Sequence, residues 1–337
     1  MAEEAITIQN MMVDRVSLCN MISAGDYLLI SGDEDVLQGL PAGNWIAGTI
    51  PYFMSESGGK VDRDNLYVSK LSGFNGNLPR LTLYDTSNIS RIAEESPEHG
   101  FTFLILPAHS DVHMSYAEGA PEFPNMFYSP IMGWIAGSHL DDLGKRKPKT
   151  GFGSAGGMLS ETHAAAMHVP LPASQVANIN IINLFSQGSG AAIRFPASGF
   201  SASACVIDGV ERNLAEYIAE NKIDTKMPLV ADYSGIPVNV SIQDVTNDSV
   251  KFYAPVFSDR DYRFANPVLD YVGEFEKALQ DTQAGKNLYS CNCILNYLYS
   301  ELDGKKTGNL TGPFTFGEVA YQLVNQTMVY LTLENQG

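Results

Sequence analysis

The sequence predicts an α/β protein with mixed sheets, in which an N-terminal part built from two tandem βαβ-like units is followed by a smaller C-terminal α/β domain. Three observations carry this. Short runs of β-branched and aromatic residues alternate with segments of helical period along the whole chain. The tetrapeptide Trp-Ile-Ala-Gly occurs twice, at 45–48 and 134–137, and uses both tryptophans of the chain. Each copy closes the same order of strand, helix and strand, which is the mark of an internal duplication.

In the first unit, Val13, Val16, Leu18, Met21 and Ile22 recur at helical spacing over 12–23, and Gly25 follows as a stop. Residues 27–30 form a short apolar strand, Asp33 caps a helix running through 40, and 44–50 return as a strand. The second unit repeats the order, with a strand at 101–106, a helix from Ser110 to about 117 and a strand at 130–136. Between the units, 66–68 and 81–84 predict a small antiparallel insertion. From 144 to 157 the chain is basic and glycine-rich, which predicts a surface connector.

Beyond the connector, strands are predicted at 165–170, 179–185, 191–195 and 204–207, followed by an amphipathic helix over 210–221. Strands at 229–232, 238–244 and 250–254 come next. A helix then runs from Pro267, a residue suited to a first helical turn, to about 281. The chain closes with a strand at 288–293, a helix to 302, a strand around 314–319 and a last one at 327–333. One domain is therefore expected over 1–208, with a break near 144–157, and a second over 209–337.

A chain of 337 residues that is 45% hydrophobic can bury a large core. Its formal net charge of -17 disfavours nucleic acid and anionic membrane as partners, because phosphate binding draws on lysine and arginine. The run Lys145-Arg146-Lys147-Pro148-Lys149 is short and broken by proline, so it reads as solvated connector. The acidic start Met1-Ala2-Glu3-Glu4 and the absence of a membrane-length apolar run set the expectation of a cytoplasmic protein. Cys19, Cys205, Cys291 and Cys293 are too few and too unevenly spaced for a disulfide framework, and reduced thiols are expected.

The stretch Gly312-Pro313-Phe314-Thr315-Phe316-Gly317-Glu318-Val319, followed by Asn325-Gln326-Thr327 and an apolar strand, resembles the closing pattern of the FIST sensory domains. Tyr289-Ser290-Cys291-Asn292-Cys293 before a helix is similar to that family's strand ending in cysteine. Residues 43–50 and 131–139 resemble its two glycine-containing strand ends, and Val206-Ile207-Asp208-Gly209 its domain junction. Two features depart from the pattern: tryptophan stands at both strand ends, and 55–85 has no counterpart. The resemblance implies intracellular small-molecule sensing, with the signal handed to a separate protein. Some members resemble haem-dependent nitric oxide sensors. No fixed set of functional residues carries over.

A ligand site is expected in the cleft between the two domains, lined by Trp45, Trp134, His139, Asp232, Tyr233, Cys291 and Glu318. Aromatic rings there would cover a flat or apolar ligand and the polar groups would orient it; the alternative is that both tryptophans plug the core. Glu318 stands out in an apolar strand where Phe314, Phe316 and Glu318 would share one face, since a carboxylate in such a place needs a partner or a polar cavity. Cys291 and Cys293 would face one side of a strand, where buried core thiols are the default reading; the alternative is a reactive cysteine, because the helix start that follows would favour a thiolate.

For a haem or metal sensor, His139 and His168 are the haem candidates, while His109 and His113 have the i, i+4 spacing that zinc uses, although a satisfied structural histidine is the favoured reading of each. Residues 151–156 match the dinucleotide fingerprint on paper, but the basic, proline-containing stretch before them makes a flexible loop the better reading. The chain has no Gly-x-Ser-x-Gly elbow and no Walker-type phosphate loop, so an enzyme would need an unrecognised cysteine or carboxylate site. Oligomeric state stays open.

Overall fold

The structure is a computed structural model that describes residues 5–233, 236–281 and 287–335. The first unit runs β1 (Thr7–Val13), α1 (Arg15–Ser23), β2 (Tyr27–Gly32), α2 (Glu34–Leu37) and β3 (Trp45–Thr49). Both helices begin at aspartates: Asp14 accepts from the Ser17 N–H and Asp33 from the Asp35 N–H, satisfying donors that a helix start leaves unpaired. A hairpin of β4 (Tyr52–Ser55) and β5 (Gly58–Val61) precedes β6 (Leu66–Ser72). The second unit repeats this plan with β7 (Arg80–Tyr84), β8 (Gly100–Pro107), α3 (Asp111–Gly119), β9 (Ile131–Ala136), a hairpin of β10 (Thr150–Phe152) and β11 (Met158–Ser160), and β12 (Ala164–Pro170).

A third copy opens with β13 (Gln175–Ile182) and is interrupted by an insertion. The insertion contains β14 (Ile193–Arg194), β15 (Gly199–Ala202), β16 (Ala204–Ile207), β17 (Val210–Asn213), α4 (Leu214–Glu220), β18 (Leu229–Tyr233), β19 (Ile236–Val240), β20 (Ile242–Val245), β21 (Val250–Val256) and β22 (Asp261–Phe264). The third copy then resumes with α5 (Tyr271–Asp281), β23 (Asn287–Cys293), α6 (Ile294–Tyr299), β24 (Gly312–Thr315), a hairpin of β25 (Glu318–Ala320) and β26 (Gln322–Val324), and β27 (Met328–Asn335).

Three six-stranded sheets share one order: β1-β6-β2-β3-β10-β11, β7-β12-β8-β9-β25-β26 and β13-β27-β23-β24-β4-β5. In each, a parallel pair joined by a helical crossover (β2–β3, β8–β9, β23–β24) is flanked by antiparallel neighbours. The hairpin closing each sheet comes from a different unit. The first unit's β4–β5 completes the third sheet, the second unit's β10–β11 the first, and the third unit's β25–β26 the second. This cyclic exchange pairs one edge of every sheet and stitches the three copies into a ring.

Inward residues of all three sheets meet in one core, among them Leu29, Ile46, Phe103, Ile105, Trp134, Cys291 and Val329. Outward residues pack under the helices: Leu28, Trp45 and Ala47 against Leu18, Ile22 and Leu37, and Leu104, Leu106 and Ile135 against Val112 and Tyr116. The insertion keeps its own core around Phe195, Phe252 and Tyr262. No helix among the described residues is long and apolar enough to cross a membrane.

The protein is thus mixed α/β and mostly strand, but several local expectations are corrected. The C-terminal part supplies a third copy of the repeated unit, and β13 and β27, from either side of the insertion, pair along their full length. The junction expected at 208/209 lies in the turn of the β16–β17 hairpin, so the first third of the helix expected over 210–221 is strand. Residues 66–68 and 81–84 are no separate insertion, since they belong to β6 and β7 in two different sheets. The connector at 144–157 contains β10, paired to β3. The strand expected at 314–319 breaks at Phe316-Gly317, where Gly317 takes a left-handed φ of 147° and the chain passes from the third sheet to the second.

The two Trp-Ile-Ala-Gly segments do lie in corresponding strands, β3 and β9, but one residue out of step. Ile46 pairs with inward Leu29, and Trp134 with inward Ile105, so Trp134 corresponds to Ile46. A one-residue offset reverses every side chain. Trp45 therefore faces the helices, and Trp134 the central core.

Candidate functional site

The carboxyl ends of parallel strands are where α/β sheets hold ligands, because helix starts and loops converge there. In the second sheet this end carries a cleft of about 810 Å³. Its floor follows the strand order: Asp85 and Thr86 leave β7, Glu161 to His163 enter β12, Ala108 to Asp111 link β8 to α3, Ser138 follows β9, and Phe316 precedes β25. Residues 143–148 form one wall, and Gln243 of β20 reaches in from the insertion.

The β8–α3 turn is held tightly. His109 has a left-handed φ of 62°, and its N–H donates to Nδ1 of His113 at 3.2 Å. Ser110 caps α3 by accepting from the His113 N–H, while its own hydroxyl donates to the Pro107 carbonyl at 2.7 Å. Burial, with His109 beside it, pushes the pKa of His113 down to about 3 and keeps the ring neutral; burial also lowers that of His109. Because α3 begins at Asp111, His109 lies outside the helix and one imidazole nitrogen of His113 is already used, so the zinc geometry that the i, i+4 spacing allowed is not formed. Among the described residues no group of three or more His, Cys, Asp or Glu is arranged to hold a metal.

At the other strand end, Thr49 Oγ1 donates to the Gly137 carbonyl at 2.6 Å and the Gly137 N–H donates to the Thr49 carbonyl at 2.7 Å. This reciprocal pair ties β3 to β9 and sets Ser138 between the large cleft and a much smaller cavity beside it. Ser138 is 8% exposed, and its Oγ has no hydrogen-bond partner.

Part of the basic run, Lys145 to Pro148, lines this wall, with Lys145 and Lys147 exposed as a solvated connector would have them. Arg146 sits 2.9 Å from Asp35 and 3.5 Å from Asp33, and Arg63 bridges Asp33 and Asp142 at 2.7 and 2.6 Å. Lys149 reaches Glu34 at 2.7 Å, and Lys147 reaches Glu161 at 3.4 Å. Lys145 donates to the Asp141 backbone carbonyl at 2.9 Å.

The residues expected to line a ligand site fall in three places. Trp134, Cys291 and Glu318 do meet, but in the solid core: Glu318 stands opposite Trp134, and the Cys291 Sγ–H donates to the Gly133 carbonyl at 3.3 Å. Glu318 is fully buried, accepting from Thr327 Oγ1 at 2.8 Å and Thr315 Oγ1 at 3.3 Å. Desolvation raises its pKa well above the ordinary value despite those bonds, which favours the protonated form. The expectation that it opens onto a cleft is overturned, whereas Cys291 and Cys293 are the buried core thiols of the default reading and the alternative of a reactive cysteine is not met. Cys293 does precede α6, but burial holds both thiols well above their usual pKa and outweighs the helix start.

Trp45 is wholly buried under α1 and α2, with Nε1 donating to the Pro41 carbonyl at 2.9 Å. His139 stacks on Tyr52 and lines only the smaller cavity. Asp232 and the backbone of Tyr233 lie in the β18–β19 hairpin of the insertion, where Asp232 is exposed; the Tyr233 side chain lies outside what the structure describes. His168 is a closed structural group. Its Nε2 bonds Tyr84 Oη at 3.0 Å and its Nδ1 bonds Thr102 Oγ1 at 2.8 Å. It sits near the opposite end of the second sheet from His139, about 17 Å or more along the strands, so the two do not form one haem site.

Sequence reasoning passed over Ser138, Ser110 and the 161–163 loop. The available signal was the strand–serine–helix order at 101–117, which marks a strand carboxyl end in an α/β sheet.

Fold and cleft together define a triplicated α/β protein with a ligand-sized cleft at one sheet end. A family model described as a family of unknown function (DUF6976) matches residues 13–334, nearly the whole chain, and the protein belongs to that family. No curated protein matches it.

Proposed function

We propose that this chain is a small-molecule-binding protein of sensory type, that its ligand sits in the cleft at the carboxyl ends of β8 and β9, and that it signals through a separate protein. The observation that carries this reading is the make-up of the cleft wall. A ligand there touches the second sheet and also Gln243 of the insertion, so binding can bias how the insertion packs on the three-sheet body. The resemblance of 289–293 and 312–319 to FIST domains supports the sensory part. Cys291, Cys293 and Glu318, the groups singled out for an enzymatic reading, are buried with their pKa values held well above the usual ones, and both nitrogens of one haem candidate, His168, are engaged.

Native mass spectrometry of protein purified from its own host tests the proposal, with Thr162→Trp as the comparison because position 162 is an exposed part of the cleft rim. Wild type is expected to carry an added mass that the variant loses at unchanged melting temperature. A mass retained equally by the variant would move the ligand elsewhere. No added mass, together with no fragment binding at the cleft by NMR, would remove the reading.

A further inference from the structure

Resting on the proposed cleft, we infer that the connection from β9 to β10 is the gate of that cleft, framed on Thr49 at both ends and latched shut by ion pairs to Asp33, Asp35 and Arg63. Its two ends meet on one residue. Besides the reciprocal bonds to Gly137, Thr49 accepts the Lys149 N–H on Oγ1 at 2.8 Å and donates its own N–H to the Lys149 carbonyl at 2.9 Å. Residues 137–149 therefore form a closed surface loop whose ends lie side by side, a form that recurs in binding-site lids.

Charge, rather than apolar packing, holds the middle of this loop. Near its ends Leu140 packs on the central core and Pro148 is buried. Between them Leu143 is 52% exposed, and Gly144, Lys145 and Lys147 are exposed as well. Arg146 is drawn in by Asp35 and Asp33, and Asp142 by Arg63, which also grips Asp33. Asp33 is 4% exposed and is held independently as the cap of α2, so the latch has a fixed centre on the body and its outer members on the loop.

Arg146, Lys147 and Ser138 line both the cleft and the smaller cavity beside it, so the loop is the partition between the two spaces. Swinging its middle outward joins them, opens the cleft toward the start of α2 and uncovers Ser138. Ion pairs among partly exposed side chains are individually weak and are screened by salt. A wall attached in this way belongs to the low-stability parts of a fold from which lids are drawn, and ionic strength sets how often it opens.

The test reads the loop without a ligand, on the full chain carrying Ser138→Cys, with iodoacetamide as an uncharged thiol probe and Cys19 as the internal reference. Raising sodium chloride so that the screening length falls from about 30 to about 3 Å is expected to speed labelling at position 138 about fivefold relative to Cys19. Asp33→Asn keeps a capping side chain on α2 and removes the charge, so it should raise the low-salt rate and blunt the salt response. In the wild-type chain, amide hydrogen exchange at Leu143, Lys145 and Arg146 should rise with salt while β3 and β9 stay protected, a readout that holds even if Ser138→Cys folds poorly. Labelling and exchange that ignore both salt and Asp33→Asn overturn the latch, as does exchange that rises equally in β3 and β9. A bound mass lost by Thr162→Trp beside salt-independent labelling keeps the ligand cleft and removes the gate. Salt-dependent labelling with no bound mass and no fragment binding keeps the loop motion and removes its role at a ligand site.

Discussion

The indole of Trp134 occupies the space that a side chain at position 48 would fill: a Cβ built on Gly48 would overlap the far edge of its six-membered ring. The glycine of the first Trp-Ile-Ala-Gly segment is thus the socket for the tryptophan of the second, and it locks two of the three sheets together at the central core.

Gly48→Ala is therefore expected to lower stability by about 1–3 kcal/mol, the usual cost of overfilling a packed core. Trp134→Phe should recover part of that loss in the double variant, because the shorter ring withdraws from position 48. Urea midpoints of the four proteins test the pair, and an unchanged midpoint in Gly48→Ala would show that the sheets give way freely.

Glu318 occupies in the second sheet the inward position that Phe152 holds in the first, opposite Trp134 and Ile46 respectively. With its folded pKa raised above the unfolded value, the folded chain binds this proton more tightly. The stabilisation is complete below the unfolded pKa and is lost as pH rises from there toward the folded value. Wild type should lose about 1.4 kcal/mol per pH unit relative to Glu318→Gln across that window. Denaturation of both proteins at several pH values from 4.5 upward measures the difference, and parallel curves would mean that Glu318 is ionised in the fold.

His168 acts in the opposite direction. Burial pushes its pKa down to about 3, so the neutral ring is stable in the fold above its unfolded pKa and the advantage fades as pH falls from about 6.5 toward 3. His168→Asn, which cannot satisfy both Tyr84 and Thr102, should cost about 1–3 kcal/mol at pH 7.5 and should flatten the acid limb. A variant with the wild-type acid limb would assign acid sensitivity to other groups, His113 first.

All four cysteines are free, and Cys19 on α1 is the half-exposed one. Cys205, pushed up to about 11 by burial, stays a thiol, as do Cys291 and Cys293. A thiol reagent at pH 8 should therefore modify one residue, Cys19, in the native protein and the other three only on unfolding. Rapid native labelling of Cys291 or Cys293, located by peptide mapping, would contradict the closed core.

Local patterning determined a good deal. Hydrophobic period identified β2, β3, β8 and β9, the aspartate and serine caps placed the starts of α2 and α3, and a repeated tetrapeptide announced the duplication. Strand partnership was beyond it, because a period of two says that a strand has two faces and nothing about which sheet receives it. The ring exchange of hairpins, and with it the third copy hidden by the insertion, was decided by pairing between residues far apart in sequence. The same reason explains the site. Glu318 and Cys291 looked functional as charges and thiols on apolar strands, but the third dimension closed both faces around them. Ser138 and Lys145, unremarkable in a loop and a basic run, were brought to the cleft by the Thr49–Gly137 contact and the strand ends beside it.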